Sequence, residues 1–186
     1  MANSRPRNLI LMASCMLTAL LLSACAHSAG SYDPVSPIKN GIILSNYANL
    51  SLVANNDNIV PMTAYDRERL INTIVRKLQA ANRFKTIDVA SSESNTLVAT
   101  IQITNYDRGN AFLRFLLAGL GQIHIDGKLT LVGRDTGEQV GHYDVSKTFA
   151  WGGLYGLGTT IEQVEEGFAE AVVEILLQKD RKPEDT

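Results

Sequence analysis

QIHIDGKLTLVGRDTGEQVGHYDVSKTFA, residues 122–150, decides the fold, because two segments that alternate apolar and polar residues flank a turn. The turn is Asp135-Thr136-Gly137, a composition typical of a β-hairpin loop. A three-residue loop with a left-handed Gly137 places Ile123 opposite Phe149 and Leu129 opposite Tyr143. A slip of one residue would invert the two faces, so the alternation predicts this register over a two-residue loop.

The same register limits what the histidines can do. His124-x-Asp126 and His142-x-Asp144 look like four metal ligands, but this pairing separates the two histidines by about 20 Å at roughly 3.3 Å per residue. Zinc ligands lie about 2 Å from one ion. We therefore expect a solvated polar face, with Lys128 opposite Asp144, and no metal. A hydrolase or small-molecule site on the His124/Asp126 face is the alternative.

Outward from the hairpin, the sequence predicts helices and further strands. One helix begins after Thr63, which has capping-box spacing to Asp66, and another follows Thr159, which has that spacing to Glu162. Further strands are predicted over 41–47, 84–90 and 96–106. We expect an α+β fold with a single, mostly antiparallel sheet of about five strands and two helices packed on one of its faces.

The N-terminal segment indicates export. A basic start with Arg5 and Arg7 precedes an uncharged apolar run and small residues, which is typical of a signal peptide. The run is shorter than the roughly 20 residues that a transmembrane helix needs. Leu22-Ser23-Ala24-Cys25 resembles the lipobox of bacterial lipoproteins, which implies cleavage before Cys25 and acylation of its sulfur. Ala26, where some lipoproteins carry Asp, implies by the same resemblance the outer membrane.

This interpretation divides the chain into four parts. Residues 1–24 form the signal peptide, and residues 25–37 are small and polar and are predicted to be a flexible tether. A single domain spans 38–179, and 180–186 is a charged tail.

Composition excludes several function classes. The 186 residues are 45% hydrophobic with a net charge of −2, which argues against a disordered chain and against a nucleic-acid partner. No G-x-S-x-G motif is present, and an acylated Cys25 is no nucleophile. Glu165, Glu166 and Glu170 fall outside the apolar stripe of the second helix and are interpreted as a solvated face. We expect no enzymatic activity and no cofactor beyond the lipid on Cys25.

Two segments rich in glycine and large apolar residues stand out, 109–121 (GNAFLRFLLAGLG) and 151–158 (WGGLYGLG). The hairpin register makes them neighbours. They either tuck under the sheet or form an exposed surface that contacts a partner or a membrane. The candidate partner-binding residues are Phe112, Arg114, Phe115, Leu116, Leu120, Trp151, Leu154 and Tyr155.

The chain resembles the bacterial lipoprotein family known as domain of unknown function 4410. The resemblance lies in Arg108-Gly109, Arg114-Phe115, Gly119-x-Gly121, the strand that follows, Asp135-x-Gly137 and Gly152-Gly153. It covers about residues 38–177 and departs from the family at Gln122-Ile123, where members often carry small residues. The family has no assigned activity, so the resemblance implies a fold and a location and says little about mechanism.

Together these features predict an outer-membrane lipoprotein with its domain in the periplasm. We expect a membrane contact through the lipid and a protein partner in the envelope, which the domain binds or helps to assemble.

Overall fold

The computed structural model describes residues 29–57, 59–88, 93–117 and 120–178. The strands are β1 (Ser31–Ser36), β2 (Asn49–Asn56), β3 (Thr86–Asp88), β4 (Thr96–Asp107), β5 (Ile123–Gly133) and β6 (Glu138–Phe149). The helices are α1 (Ala64–Ala80), α2 (Ala111–Leu116), α3 (Gly153–Gly158) and α4 (Ile161–Leu176), with a 3₁₀ turn at Leu44–Asn46. The predicted signal peptide, Cys25 and the tail at 180–186 lie outside the described residues.

Across the described ranges the fold is α+β with one mixed sheet of six strands, in the order β1-β6-β5-β4-β2-β3. β1, β6, β5 and β4 pair antiparallel, whereas β2 pairs in parallel with both β3 and β4. Parallel neighbours need a crossover, and α1 lies between β2 and both of these strands in the chain. The sequence predicted about five strands and missed the parallel pairing.

The hairpin of β5 and β6 has the predicted register over most of its length. Ile123 lies opposite Phe149, and the pairing continues without a shift until a β-bulge at Val140. The bulge leaves four residues between Gly133 and its partner, so the predicted three-residue loop is one residue too short. Gly137 has φ +65°, the left-handed conformation that was expected.

The tether prediction is wrong for residues 31–36. These residues form the edge strand β1, in which Ser31 lies opposite Ser146 and Pro34 opposite Tyr143. Pro34 is compatible with an edge strand because one side of that strand needs no ladder hydrogen bonds. β1 is mostly exposed, so it lacks the apolar alternation by which strands are recognised.

The predicted strand at 41–47 is also wrong. Residues 44–46 form the 3₁₀ turn, and β2 begins only at Asn49. The side chain of Leu44, in this turn, is fully buried. Its burial explains why the sequence is apolar at this point although no strand forms.

The two long helices pack against each other and against one face of the sheet. Gly127 of β5 shows how close the layers are, because a Cβ added there would lie 3.0 Å from the ring of Phe168 in α4. The apolar residues of β5 and β4 that point to this face are buried. Of the helices in the described part of the chain, none combines the length and the apolar character needed to cross a bilayer.

Both long helices begin at capping boxes. The Thr63 Oγ1 accepts a hydrogen bond from the Asp66 N–H at 3.1 Å, as predicted. The second box is one residue later than predicted, since the Thr160 N–H donates to the side chain of Gln163 at 3.0 Å. Thr159 lies before the helix and is buried.

Candidate docking surface formed by two glycine-rich loops

The two glycine-rich segments meet at one end of the sheet, as the register predicted. The first segment leads into β5 and the second follows β6. The start of β5 lies beside the end of β6, because Ile123 is paired with Phe149. Each segment contains one short helix, and α2 and α3 pack against each other. The centre of the Phe149 ring, at the end of β6, lies 5.6 Å from the centre of the Tyr155 ring in α3. This contact connects the two short helices to the sheet.

Glycine is required where the first segment closes on itself. Gly109 and Gly121 have φ of +63° and +66°. The Asn110 N–H donates to the Gly121 carbonyl at 3.1 Å, and a Cβ on Gly121 would overlap the Asn110 carbonyl oxygen. The Asn110 side chain also caps α2 by accepting from the Leu113 N–H at 3.1 Å. These contacts hold the two ends of the segment together.

Arg114 joins the two loops, and it is buried, with only 3% of its surface exposed. Its guanidinium donates to the carbonyl oxygens of Gly156 at 2.9 Å, Gly121 at 2.7 Å and Thr159 at 3.1 Å. Burial lowers the pKa of this guanidinium. The prediction that Arg114 contacts a partner is wrong, because its donors are directed to backbone inside the protein. Its role is to fix the loops relative to each other.

The other candidate residues are exposed, so the loops do not tuck under the sheet. The surface they form, which we call the apolar patch, contains Phe112, Leu113, Phe115, Leu116, Leu117, Leu120, Trp151, Leu154, Tyr155 and Leu157. Leu154 is 80% exposed and Trp151 is 53% exposed. On folded domains, exposed clusters of large apolar side chains are typical of surfaces that contact a partner or a membrane.

Sequence reasoning missed three members of the patch, namely Leu113, Leu117 and Leu157. The signal was present, since these leucines belong to the same two segments rich in glycine and large apolar residues, whose one charged residue is Arg114. A helix of six residues projects side chains in every direction and cannot bury them all against one neighbour.

Behind the loops lies a charged cluster that the sequence did not indicate. Glu165 is 2% exposed and accepts from Arg69 at 2.7 and 2.8 Å and from the Tyr106 hydroxyl at 2.6 Å. Burial and the hydrogen bond to Glu165 raise the pKa of Tyr106. The solvated-face interpretation is wrong for Glu165, whereas Glu166 and Glu170 remain partly exposed in ion pairs with α1.

Asp66 links this cluster to the base of the first loop. Its carboxylate accepts from Arg69 at 2.9 Å and from Arg108 at 2.6 Å. Burial opposes its ionised form, but hydrogen bonds from Thr63 and Arg108 outweigh burial and lower its pKa to about 2. Because Arg108 immediately precedes Gly109, the ion pair ties the loop to the start of α1.

The polar face of the hairpin has the predicted separation of its histidines. His124 lies opposite Thr148, and His142 lies six residues away along the hairpin, opposite Thr130. The His124 Nε2 lies 2.6 Å from the Asp126 carboxylate, and its Nδ1 is hydrogen-bonded to the Thr148 hydroxyl. Within the described ranges, no three His, Cys, Asp or Glu side chains are grouped in a way that could hold a metal ion.

Comparisons with known proteins establish the fold and the family. No curated protein matches the chain. PelC from Paraburkholderia phytofirmans, solved as a dodecamer, has a TM-score of 0.55 at 10% identity, over 82% of this chain and 99% of that one. Protein XCC0632 from Xanthomonas campestris, of the DUF330 family, has a TM-score of 0.50 at 9% identity, over 74% and 87% of the two chains.

At these identities the likeness concerns the fold alone. The model of the domain of unknown function DUF4410 matches residues 43–153. This range contains the first glycine-rich loop, the hairpin and the start of the second loop, which are the parts that build the apolar patch. The match covers more than half of the sequence, and the chain belongs to the DUF4410 family.

Proposed function

We propose that this protein is a lipoprotein anchored to the outer membrane by Cys25, with its domain in the periplasm. Its function is to bind another component of the cell envelope, or to assist the assembly of one, without catalysis. The contact surface is the apolar patch. This function needs no cofactor besides the covalent lipid and no nucleic-acid partner.

The observation that carries the proposal is the combination of exposure and order in the patch. Its large apolar side chains are exposed, yet the loops beneath them are held by three hydrogen bonds from buried Arg114. A surface that is ordered before binding loses less conformational entropy on association. Trp151 and Tyr155 are of the residue types that contribute most to binding energies.

The test is a crosslinking pull-down from intact envelopes, with Cys25 retained. We expect stable recovery of one envelope component by the wild-type protein and loss of that recovery with Trp151→Ala and Leu154→Ala. Ile43→Ala is the matched control, because Ile43 is 54% exposed near the opposite end of the sheet. Equal recovery by all three variants would refute a role for the patch.

The anchor is tested separately. Cys25→Ala should abolish acylation and either release the domain from the membrane fraction or leave uncleaved precursor. Processed Cys25→Ala protein that sediments with the same membrane would contradict the proposed location.

A second candidate function, a hydrolase or small-molecule site, has one observation in its favour. Asp126, His124 and Thr148 are joined by hydrogen bonds in that order on the partly exposed hairpin face, an order in which a carboxylate orients an imidazole next to a hydroxyl. Turnover of an ester or amide substrate that survives purification and disappears in His124→Ala would favour this function over docking. His142→Ala is the matched control on the same face.

A further inference from the structure

The direction of β1 determines where the chain leaves the domain toward Cys25. β1 is antiparallel to β6, and its first residue, Ser31, lies opposite Ser146. Since β6 ends at Phe149, the chain before Ser31 continues toward the end of the sheet that carries the apolar patch. The Gly30 N–H donates to the Gly167 carbonyl of α4, so this exit point is fixed to the body of the domain.

The chain between this exit and Cys25 is short. Cys25 is four residues before Ala29, the first described residue, and an extended chain covers at most about 3.6 Å per residue, or about 14 Å in all. The other end of the hairpin is farther away, since the eight residues from Ser146 back to Glu138 cover about 27 Å of strand. Cys25 can therefore lie close to the patch and cannot reach the hairpin turn.

The chemistry of the patch suits the boundary between lipid and water. Every member of the patch as defined above is a leucine or an aromatic residue, and the one cation within its helices, Arg114, has its donors engaged by backbone. Trp and Tyr favour the headgroup level of a bilayer, with leucine and phenylalanine below them. A surface without exposed charge has no need of anionic lipid.

We propose that the apolar patch inserts into the interface of the membrane that holds the lipid anchor, so that the domain has one fixed orientation on the bilayer. This inference rests on the proposed function for the acylation of Cys25, and it identifies the envelope component bound by the patch as the lipid surface. Two attachments at one end of the domain hold it more firmly than acyl chains alone. The hairpin turn, at the opposite end of the sheet, then faces away from the membrane.

The chain has a single tryptophan, Trp151, and it lies in the patch. The experiment uses the full mature lipoprotein, acylated and reconstituted into phosphatidylcholine vesicles. Lipids brominated on their acyl chains quench tryptophan only on close approach, whereas iodide quenches it from water. We expect bromolipid to remove most of the Trp151 emission and iodide to have little effect.

A matched control moves the fluorophore. The double variant Trp151→Phe with Ile43→Trp keeps an aromatic side chain in the patch and places the only tryptophan near the opposite end of the sheet. Its emission should be quenched by iodide and not by bromolipid. Leu154→Asp should reduce the bromolipid quenching of Trp151, since this 80% exposed side chain would carry a charge into the interface.

The outcomes separate this inference from the proposed function. Trp151 that is open to iodide and untouched by bromolipid, in acylated protein, overturns membrane insertion. Loss of a protein partner in the Leu154→Asp pull-down would then leave the proposed docking function standing. Mature protein whose mass lacks the acyl chains overturns both.

Discussion

Removal of the Arg114 guanidinium should loosen the two loops without unfolding the sheet. Arg114→Met is the suitable change, because methionine retains much of the aliphatic stem and has no group to donate. Three carbonyl oxygens lose the hydrogen bonds described above. The Gly121 oxygen keeps a second donor, the Asn110 N–H, so the carbonyls of Gly156 and Thr159 are the ones left with a deficit.

The magnitude follows from those two carbonyls. A buried polar group that loses its partner costs about 1–3 kcal/mol, so the loop pair should lose about 2–6 kcal/mol of local stability. Since about 1.4 kcal/mol is a factor of ten in an equilibrium, local opening should become about 30-fold more populated at the lower limit.

Hydrogen exchange measured by mass spectrometry tests this value. Amides within the loops, such as the Gly156 N–H that donates to Gly152, should exchange at least about 30-fold faster in Arg114→Met, by the same conversion. Amides in the middle of β5 should be unchanged. Arg76→Met is the control, since this 68% exposed side chain makes only a surface ion pair with Glu166. Unchanged loop protection in Arg114→Met would refute the assignment of Arg114 as the residue that joins the loops.

Three further predictions concern the stability of the domain and are measured by urea unfolding. Gly121→Ala should be less stable than Gly137→Ala by at least about 1 kcal/mol, because both glycines are left-handed but only the first has no room for a Cβ; equal losses would contradict this. Glu165→Ala should lower the free energy of unfolding by about 3–5 kcal/mol, because it leaves Arg69 without its main partner. Glu166→Ala should lower it by about 1 kcal/mol or less, since its ion pair is on the surface. Similar losses in the two variants would mean that the buried cluster contributes little. Asp66 has a folded pKa of about 2, below its ordinary value of 3.8, so its contribution of about 2 kcal/mol is present above that ordinary value and is lost as the pH falls toward 2. Asp66→Asn should flatten the acid side of the stability profile, and a profile as steep as that of the wild type would contradict the shift.

Local periodicity explains which parts of the fold were predictable. The hairpin register follows from alternation in β5 and β6, because a side-chain period of two allows only one pairing that buries all the apolar residues. The bulge at Val140 was not predictable. The longer loop and the extra residue of the bulge compensate for each other, so the pairs beyond the bulge have the register that a three-residue loop without a bulge would give.

The candidate site was predictable in composition and not in detail. The apolar residues of the loops stand in two segments whose only charged residue is Arg114, and the hairpin register brings those segments together. Nothing in the local sequence indicates that Arg114 is buried and Leu154 exposed, because each stands among apolar neighbours. Whether a side chain points outward depends on the path of the backbone, which the left-handed glycines determine.

By itself, the sequence determined the features that depend on near neighbours, which are the two long helices, the hairpin and the adjacency of the glycine-rich loops. Only the tertiary structure decided the features whose partners are remote in the chain. β1 pairs with a strand more than a hundred residues later, and Glu165 is buried because Arg69 and Tyr106 meet it there. A charged or polar segment enters the fold when distant groups satisfy its hydrogen bonds, and local sequence carries no record of those groups.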